Sequence, residues 1–342
     1  MTARAFITGM AGPAIGPEEV RFFKEARPWG LILFKRNIET PAQVKSITAH
    51  FREIVGWNAP VLVDQEGGRV QRLGPPHWPV YPPGAAYAAL YETDPALGLE
   101  AARLGGRLIA EDLVALGIDV DCLPVADVPV AGADRVIGDR AFGDTPEQVA
   151  ALAGAQAAGL MDAGVLPVVK HLPGHGRATA DSHLKLPVVD ADRATLEATD
   201  FAAFRPLSRL PLGMTAHVVF SAIDAAQPAT TSAIMIGDVI RGSIGFEGLL
   251  MSDDVSMGAL SGTLSERSRA SLAAGCDLVL HCNGNLDEMR EVAAATPKLG
   301  GEAAVRAERA LALRSRRTEI DVAAARARFA GLMNQPAAGA MA

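Results

Sequence analysis

Short apolar runs interrupt the chain at Ala5–Thr8, Leu31–Phe34, Val61–Val63, Asp119–Leu123, Leu166–Val169, Leu212–Thr215, Gly248–Met251 and Leu278–Leu280. Each is about strand length and rich in Val, Ile or Leu. They lack the strict polar–apolar alternation of a strand with one wet face. Continuous runs suit strands buried on both faces, as in a parallel sheet covered by helices. The segments between them carry helix signals. Thr40-Pro41-Ala42-Gln43 offers a capping threonine, a proline at the first helical position and a glutamine two residues on. Val44, Ile47, Phe51 and Ile54 then follow at helical spacing. Thr145-Pro146-Glu147-Gln148 repeats that start. Asp94-Pro95 opens a long helical stretch that Gly117 ends, and Glu266–Ala274 stops at Gly275.

Strand runs alternating with helical segments predict a parallel α/β fold, and eight such units predict a closed (β/α)8 TIM-type barrel. The third run departs from the rhythm, because a proline-rich loop (Pro75, Pro76, Pro79, Pro82, Pro83) follows it. The Ala/Arg/Glu-rich segment from about 300 to 332 reads as a C-terminal helical extension, and 335–342 as a frayed tail. No repeat and no linker divides the chain, so residues 1–342 are expected to form a single catalytic barrel domain.

Composition narrows the function classes. At 342 residues the chain can bury a large core without covalent staples. The balance of 32 basic and 39 acidic residues, with no basic stripe, argues against a nucleic-acid partner. Cys122, Cys276 and Cys282 form no C-x-x-C pair, which argues against a disulfide framework or a structural zinc, and Cys122 and Cys276 read as buried small hydrophobes. The N-terminus is too short in apolar length, and too broken by Gly9, Gly12 and Pro13, for a secretory signal. No apolar run approaches about 18 residues, so no membrane partner is expected and cytoplasmic residence is the default. No signal for assembly is present, which leaves a monomer as the favoured state.

In a barrel, reactive groups sit just past the C-terminal ends of the strands. Polar groups gather there at nearly every run: Asp64-Gln65-Glu66 and Arg72, Asp139-Arg140, Lys170-His171, Asp181-Ser182-His183, His217, Ser252-Asp253-Asp254 and His281-Cys282-Asn283. An acid directly after Leu249-Leu250-Met251 faces the barrel mouth, where a carboxylate can displace a group at an anomeric carbon. A helix cap or a metal ligand is the competing role. Asp253 and Asp254 are neighbours, so in extended chain one is expected to face substrate while the other holds the loop. In Asp181-x-His183 the two side chains share one face, and the carboxylate can fix the imidazole tautomer. A histidine titrates near about pH 6.5, so it can donate and then accept a proton at neutral pH. A functionless surface contact fits those two residues as well. Lys170 can donate to sugar hydroxyls or be a buried ion-pair partner. Arg140 can do the same or pair with Asp139 or Asp144. His171, His175 and His183 also suggest a metal site, but Pro173 and Gly174 prevent the first two from sharing a helix face.

Several strings together resemble the β-N-acetylhexosaminidases of glycoside hydrolase family three: VLVDQEGGRVQR (Val61–Arg72), KHLPGHG (Lys170–Gly176), ADSH (Ala180–His183) and SDDVSM (Ser252–Met257). GLILFKRN (Gly30–Asn37), IGDR (Ile137–Arg140) and AHV (Ala216–Val218) extend the match, in the family's order, from about residue 28 to 283. The resemblance implies a barrel and a retaining exo-β-N-acetylglucosaminidase. It implies Asp253 as nucleophile and His183 as acid/base assisted by Asp181, with Asp64, Arg72, Arg140, Lys170 and His171 binding the sugar. It also implies a small-molecule sugar or muropeptide substrate, with anhydro-muropeptides of cell-wall recycling the physiological one, and no metal or organic cofactor. Larger relatives take the acid/base from a second domain; this chain is too short for one, so the loop dyad is expected to serve. Leu172, Val255 and Gly258 depart from the commoner Phe, Leu and Glu without removing a catalytic group. A phosphorylase and a non-catalytic sugar-binding barrel remain as alternatives.

Overall fold

The computed structural model describes residues 3–182 and 185–334. His183, the expected acid/base, and the expected tail 335–342 lie outside the described residues. Eight parallel strands close into a barrel: β1 (Arg4–Thr8), β2 (Pro28–Leu33), β3 (Val61–Val63), β4 (Val120–Asp121), β5 (Leu166–Leu172), β6 (Leu212–Thr215), β7 (Leu249–Asp254) and β8 (Leu278–His281). Each pairs with its sequence neighbours, and β8 returns to β1 in the register Ile7 with Leu280. The predicted barrel is therefore the observed one.

Strand ends differ from the apolar runs in an informative way. β2 begins three residues early, at Pro28, a position where a proline's missing N–H costs no ladder bond. β5 and β7 run beyond their apolar stretches into Lys170-His171 and Ser252-Asp253-Asp254. Both carry an extra residue relative to a neighbour. Between Val169 and Leu172 β5 spends three steps against two on β6, and between Met251 and Asp254 β7 does so against β8. Such a bulge twists the strand and re-aims side chains, and these two sit at the mouth of the barrel.

Alternate residues of each strand face inward and outward. Ile7, Ile32, Leu62, Val120, Val168, Leu212, Met251 and Leu280 pack together inside the barrel. Outward-facing Phe6, Leu31, Val61 and Val63 pack instead against the surrounding helices. Fully burying one such side chain is worth about 1.5–3 kcal/mol. The helices are α1 (Pro17–Ala26), α2 (Pro41–Val55), α3 (Gly84–Thr93), α4 (Pro95–Val114), α5 (Pro146–Asp162), α6 (Arg193–Ala198), α7 (Asp200–Phe204), α8 (Leu264–Ala274), α9 (Leu286–Ala295), α10 (Gly301–Ala312) and α11 (Val322–Met333). A wide π-helix, Met235–Ser243, occupies the layer between β6 and β7. Thr40, Asp94 and Thr145 accept backbone N–H groups at the helix starts where the sequence places them. Gly275, at φ 118°, closes α8 in a conformation that a side chain would strain.

The C-terminal extension is two helices, not one. Between them Arg314 reaches Asp119 and Asn58, while Thr318 donates to the Asp162 carbonyl and accepts from Arg107. A short turn, Leu313–Ser315, follows the first helix, and beyond it the Thr318 backbone bonds to the end of α5. Arg326 then joins Asp112, fixing α11 on α4.

Candidate active site

The C-terminal ends of the strands open into a cavity of about 650 Å³, a size ordinary for a small-molecule site. Its wall includes Asp64, Glu66, Arg72, Arg140, Lys170, His171, Asp181, Asp253 and Asp254. The structure thus brings together every described residue that the sequence nominates for the site.

The floor is an ion-pair network. Lys170 is buried, and its ammonium lies 3.0 Å from Asp64 Oδ1 and 2.6 Å from Glu66 Oε1. Arg72 reaches Asp64 Oδ2 at 3.0 Å, and Arg140 grips Glu66 with Nε and Nη2, both at 2.8 Å. An ammonium has three donors, and among the described residues these two carboxylates take two of them. Arg72 Nε is also buried with no partner among the described residues. Both roles open to Lys170 from the sequence, buried ion-pair partner and pocket donor, are therefore structurally available to it. Burial pushes the Asp64 and Glu66 carboxyls up, but the neighbouring cations outweigh it. Both end below the usual range, Glu66 at about 2.

Arg140 does not pair with Asp139 or Asp144, the partners its sequence neighbourhood suggests. It takes Glu66, and Asp139 pairs with Arg69 at 3.0 Å. The sequence signal for Glu66 is its place two residues after Asp64, on the same face of an extended segment.

His171 is oriented by Asp127, a residue the sequence reading missed. Its Nδ1 is 2.7 Å from Asp127 Oδ2, and its backbone N–H is 3.2 Å from Oδ1. The backbone N–H of His175 donates to the same Oδ1 at 2.7 Å. A carboxylate accepting these bonds places the ring hydrogen on Nδ1 and leaves Nε2 for the pocket. Burial raises the Asp127 carboxyl, yet His171 and the backbone donors bring it below its ordinary value. His175 is buried with its Nε2 3.0 Å from Ser182 Oγ, and burial lowers its imidazole to about 4. His171 lies within β5, one residue before its end, and His175 lies in the loop beyond it, so the pair shares no helix face. Among the described residues, no group of three or more His, Cys, Asp and Glu side chains is placed to hold a metal ion.

At the end of β7, beside the bulge, Asp253 and Asp254 both border the cavity. Their roles still divide. Asp254 accepts from the backbone of Ser256 (3.0 Å) and Cys282 (3.2 Å) and from Ser256 Oγ (2.7 Å), so its carboxylate braces the loop. Asp253 Oδ1 accepts the Asp254 backbone N–H at 2.8 Å. Asp181 lies on the cavity wall, and the neighbouring Ser182 is buried against His175.

One pH effect follows from the floor. A carboxylate depressed by folding adds stability above its unfolded pKa, and that contribution is lost as pH falls through the folded value. The melting-temperature gap between wild type and Glu66→Gln is therefore expected to be constant above about pH 5. It narrows between about pH 4.5 and 2. Calorimetry across that range checks it, and a gap that stays level to pH 2.5 contradicts the assignment.

A carboxylate at the mouth of a (β/α)8 barrel, above a floor of fixed donors and acceptors, is the arrangement of a barrel enzyme acting on a small polar substrate. The chain belongs to glycosyl hydrolase family 3: residues 14–310 match the family's N-terminal domain. It is a glycoside hydrolase. It is 44% identical over 279 residues to a beta-hexosaminidase of Alkalilimnicola ehrlichii, covering 80% of this chain and 79% of that one. A beta-hexosaminidase of Aromatoleum aromaticum is 39% identical over 278 residues, covering 80% and 78%. Among solved structures, NagZ from Neisseria gonorrhoeae in complex with N-trifluoroacetyl-D-glucosamine superposes with a TM-score of 0.85 at 33% identity. It covers 97% of this chain and 99% of that one. No helix of the described residues is long and apolar enough to cross a membrane.

Proposed function

We propose that the protein is a retaining exo-β-N-acetylglucosaminidase that removes terminal β-linked N-acetylglucosamine, with anhydro-muropeptides from peptidoglycan recycling as its substrate. The observation that carries the reading is Asp253 at the end of β7, lining the same cavity as Lys170, His171 and Asp181. The beta-hexosaminidase relatives support the sugar, and the complex of the gonococcal NagZ with an N-acylated glucosamine supports its acyl group.

In this reading the ring hydroxyls meet Asp64, Arg72, Arg140, Lys170 and His171. Asp253 attacks the anomeric carbon through the oxygen not held by the Asp254 N–H, and the carbon–oxygen bond to the leaving group breaks. His183 gives its proton to that oxygen. A covalent glycosyl-enzyme results. His183 then takes a proton from water, the water oxygen displaces Asp253, and the sugar leaves with its β configuration kept. Asp181 acts through His183 by fixing its tautomer and stabilising its charged form. The floor's ion pairs hold their geometry before substrate arrives, so little reorganisation opposes the transition state.

Proton NMR of the first product formed from a nitrophenyl β-N-acetylglucosaminide tests the reading, run with and without phosphate. The β-anomer of free N-acetylglucosamine is expected in both. An α-anomer as first product, a sugar phosphate, or no release overturns it in favour of inversion, phosphorolysis or binding alone.

A further inference from the structure

His217, just past β6, is fully buried, and the reaction written above leaves it unused. Its Nε2 is 3.0 Å from the carbonyl oxygen of Asp254, and its Nδ1 is 2.7 Å from Thr230 Oγ1. A carbonyl oxygen only accepts, so Nε2 carries the hydrogen. In a neutral ring Nδ1 is then bare and takes the Thr230 hydroxyl hydrogen. Thr230 Oγ1 lies 2.8 Å from Thr215 Oγ1, which in turn donates to it. Thr230 also sits 3.0 Å from the Ala216 carbonyl. Donation there would require a second proton on the ring, a charge that full burial disfavours. The buried chain therefore runs from the Thr215 hydroxyl through Thr230 and His217 to the Asp254 carbonyl.

Residue 254 is the one whose backbone N–H holds the nucleophile's Oδ1 at 2.8 Å. It also ends the bulge of β7, where the ladder to β8 loses its regular step. Its carbonyl also accepts the Met257 N–H at 3.1 Å, and the following N–H, of Val255, donates to Leu280 of β8 at 2.9 Å, so His217 shares the hold on that backbone with the loop and with β8. We propose that His217 is a positioning residue for the nucleophile: through its bond to the Asp254 carbonyl it sets the backbone whose N–H aims Asp253. This rests on the assignment of Asp253 in the proposed function. Thr215 and Thr230 set the tautomer that makes the bond.

The test compares wild type, Asp253→Asn, His217→Met, His217→Gln and Thr230→Val on a dinitrophenyl β-N-acetylglucosaminide, with kcat and KM separated and folding checked by melting temperature. Gln can present an N–H near the position of Nε2, whereas Met cannot. His217→Met is expected to lower kcat about 10- to 100-fold with KM within about threefold, since a misaimed nucleophile affects the chemical step. His217→Gln is expected to recover most of that loss, and Thr230→Val to lower kcat about 5- to 10-fold. Wild-type kcat in His217→Met, equal losses in the Met and Gln variants, or a rise in KM alone overturns the proposal. If His217→Met does not fold, Thr230→Val decides: an unchanged kcat overturns it and a selective fall in kcat supports it. An inactive wild type, or an active Asp253→Asn, sinks the proposed function instead.

Discussion

Asp253→Asn is expected to lower kcat by more than about 10³-fold while KM and melting temperature stay near wild type. The amide has the carboxylate's shape and can still accept the Asp254 N–H through its Oδ1. What it loses is the charge and nucleophilicity needed at the anomeric carbon. Asp254→Asn makes the opposite expectation. That carboxylate accepts three bonds from Ser256 and Cys282. An amide can match their geometry, with Oδ1 taking both N–H groups and Nδ2 donating to the Ser256 hydroxyl, but it loses the charge that strengthens all three. Its stability is therefore expected to fall by about 1–3 kcal/mol, with activity reduced less than in the Asp253 variant. Steady-state rates on a chromogenic β-N-acetylglucosaminide and thermal melts of both variants separate the roles. Wild-type turnover in Asp253→Asn would remove the nucleophile from its place. A fluorinated substrate that slows the second step is expected to add one sugar mass to the wild-type peptide carrying Asp253 and none to the variant's.

The sequence makes the barrel legible because its strands are apolar on both faces, so Val61–Val63 and Leu212–Thr215 stand out at their observed bounds. Legibility fades where polar groups join a strand. Lys170-His171 and Ser252-Asp253-Asp254 read as loop, since a buried polar residue is sound only with partners that lie far off in sequence. Those partners exist: Asp64 and Glu66 for Lys170, Asp127 for His171. Asp127 follows Pro124 outside any named strand or helix and carries no local mark of its role. The bulges were equally hidden: beside the one in β7, Asp253 and Asp254 both border the cavity. The site's chemistry was legible as residue types at strand exits. Which cation meets which anion was not: Arg140 reaches across 74 positions to Glu66 instead of to the acid beside it.

Lys170→Met is expected to reduce kcat/KM about 10²-fold and to destabilise the fold by about 3 kcal/mol. The stability figure sits at the low end for removing a partner from a buried ion pair, because Asp64 keeps Arg72 and Glu66 keeps Arg140. What remains is repulsion between two carboxylates that the ammonium had separated at 3.0 and 2.6 Å. Neutralising one acid should relieve it. Adding Asp64→Asn to Lys170→Met is therefore expected to return part of the lost stability, because the Arg72 left behind is partly exposed and can be hydrated. Activity should not return, since the double variant has lost both a donor and an acceptor for the sugar. Urea unfolding of the two single variants and the double variant measures the coupling, and inhibition by free N-acetylglucosamine measures binding. Additive losses of stability would mean that Lys170 does not hold the two carboxylates together. Unchanged affinity in Lys170→Met would mean that its third N–H never meets the sugar.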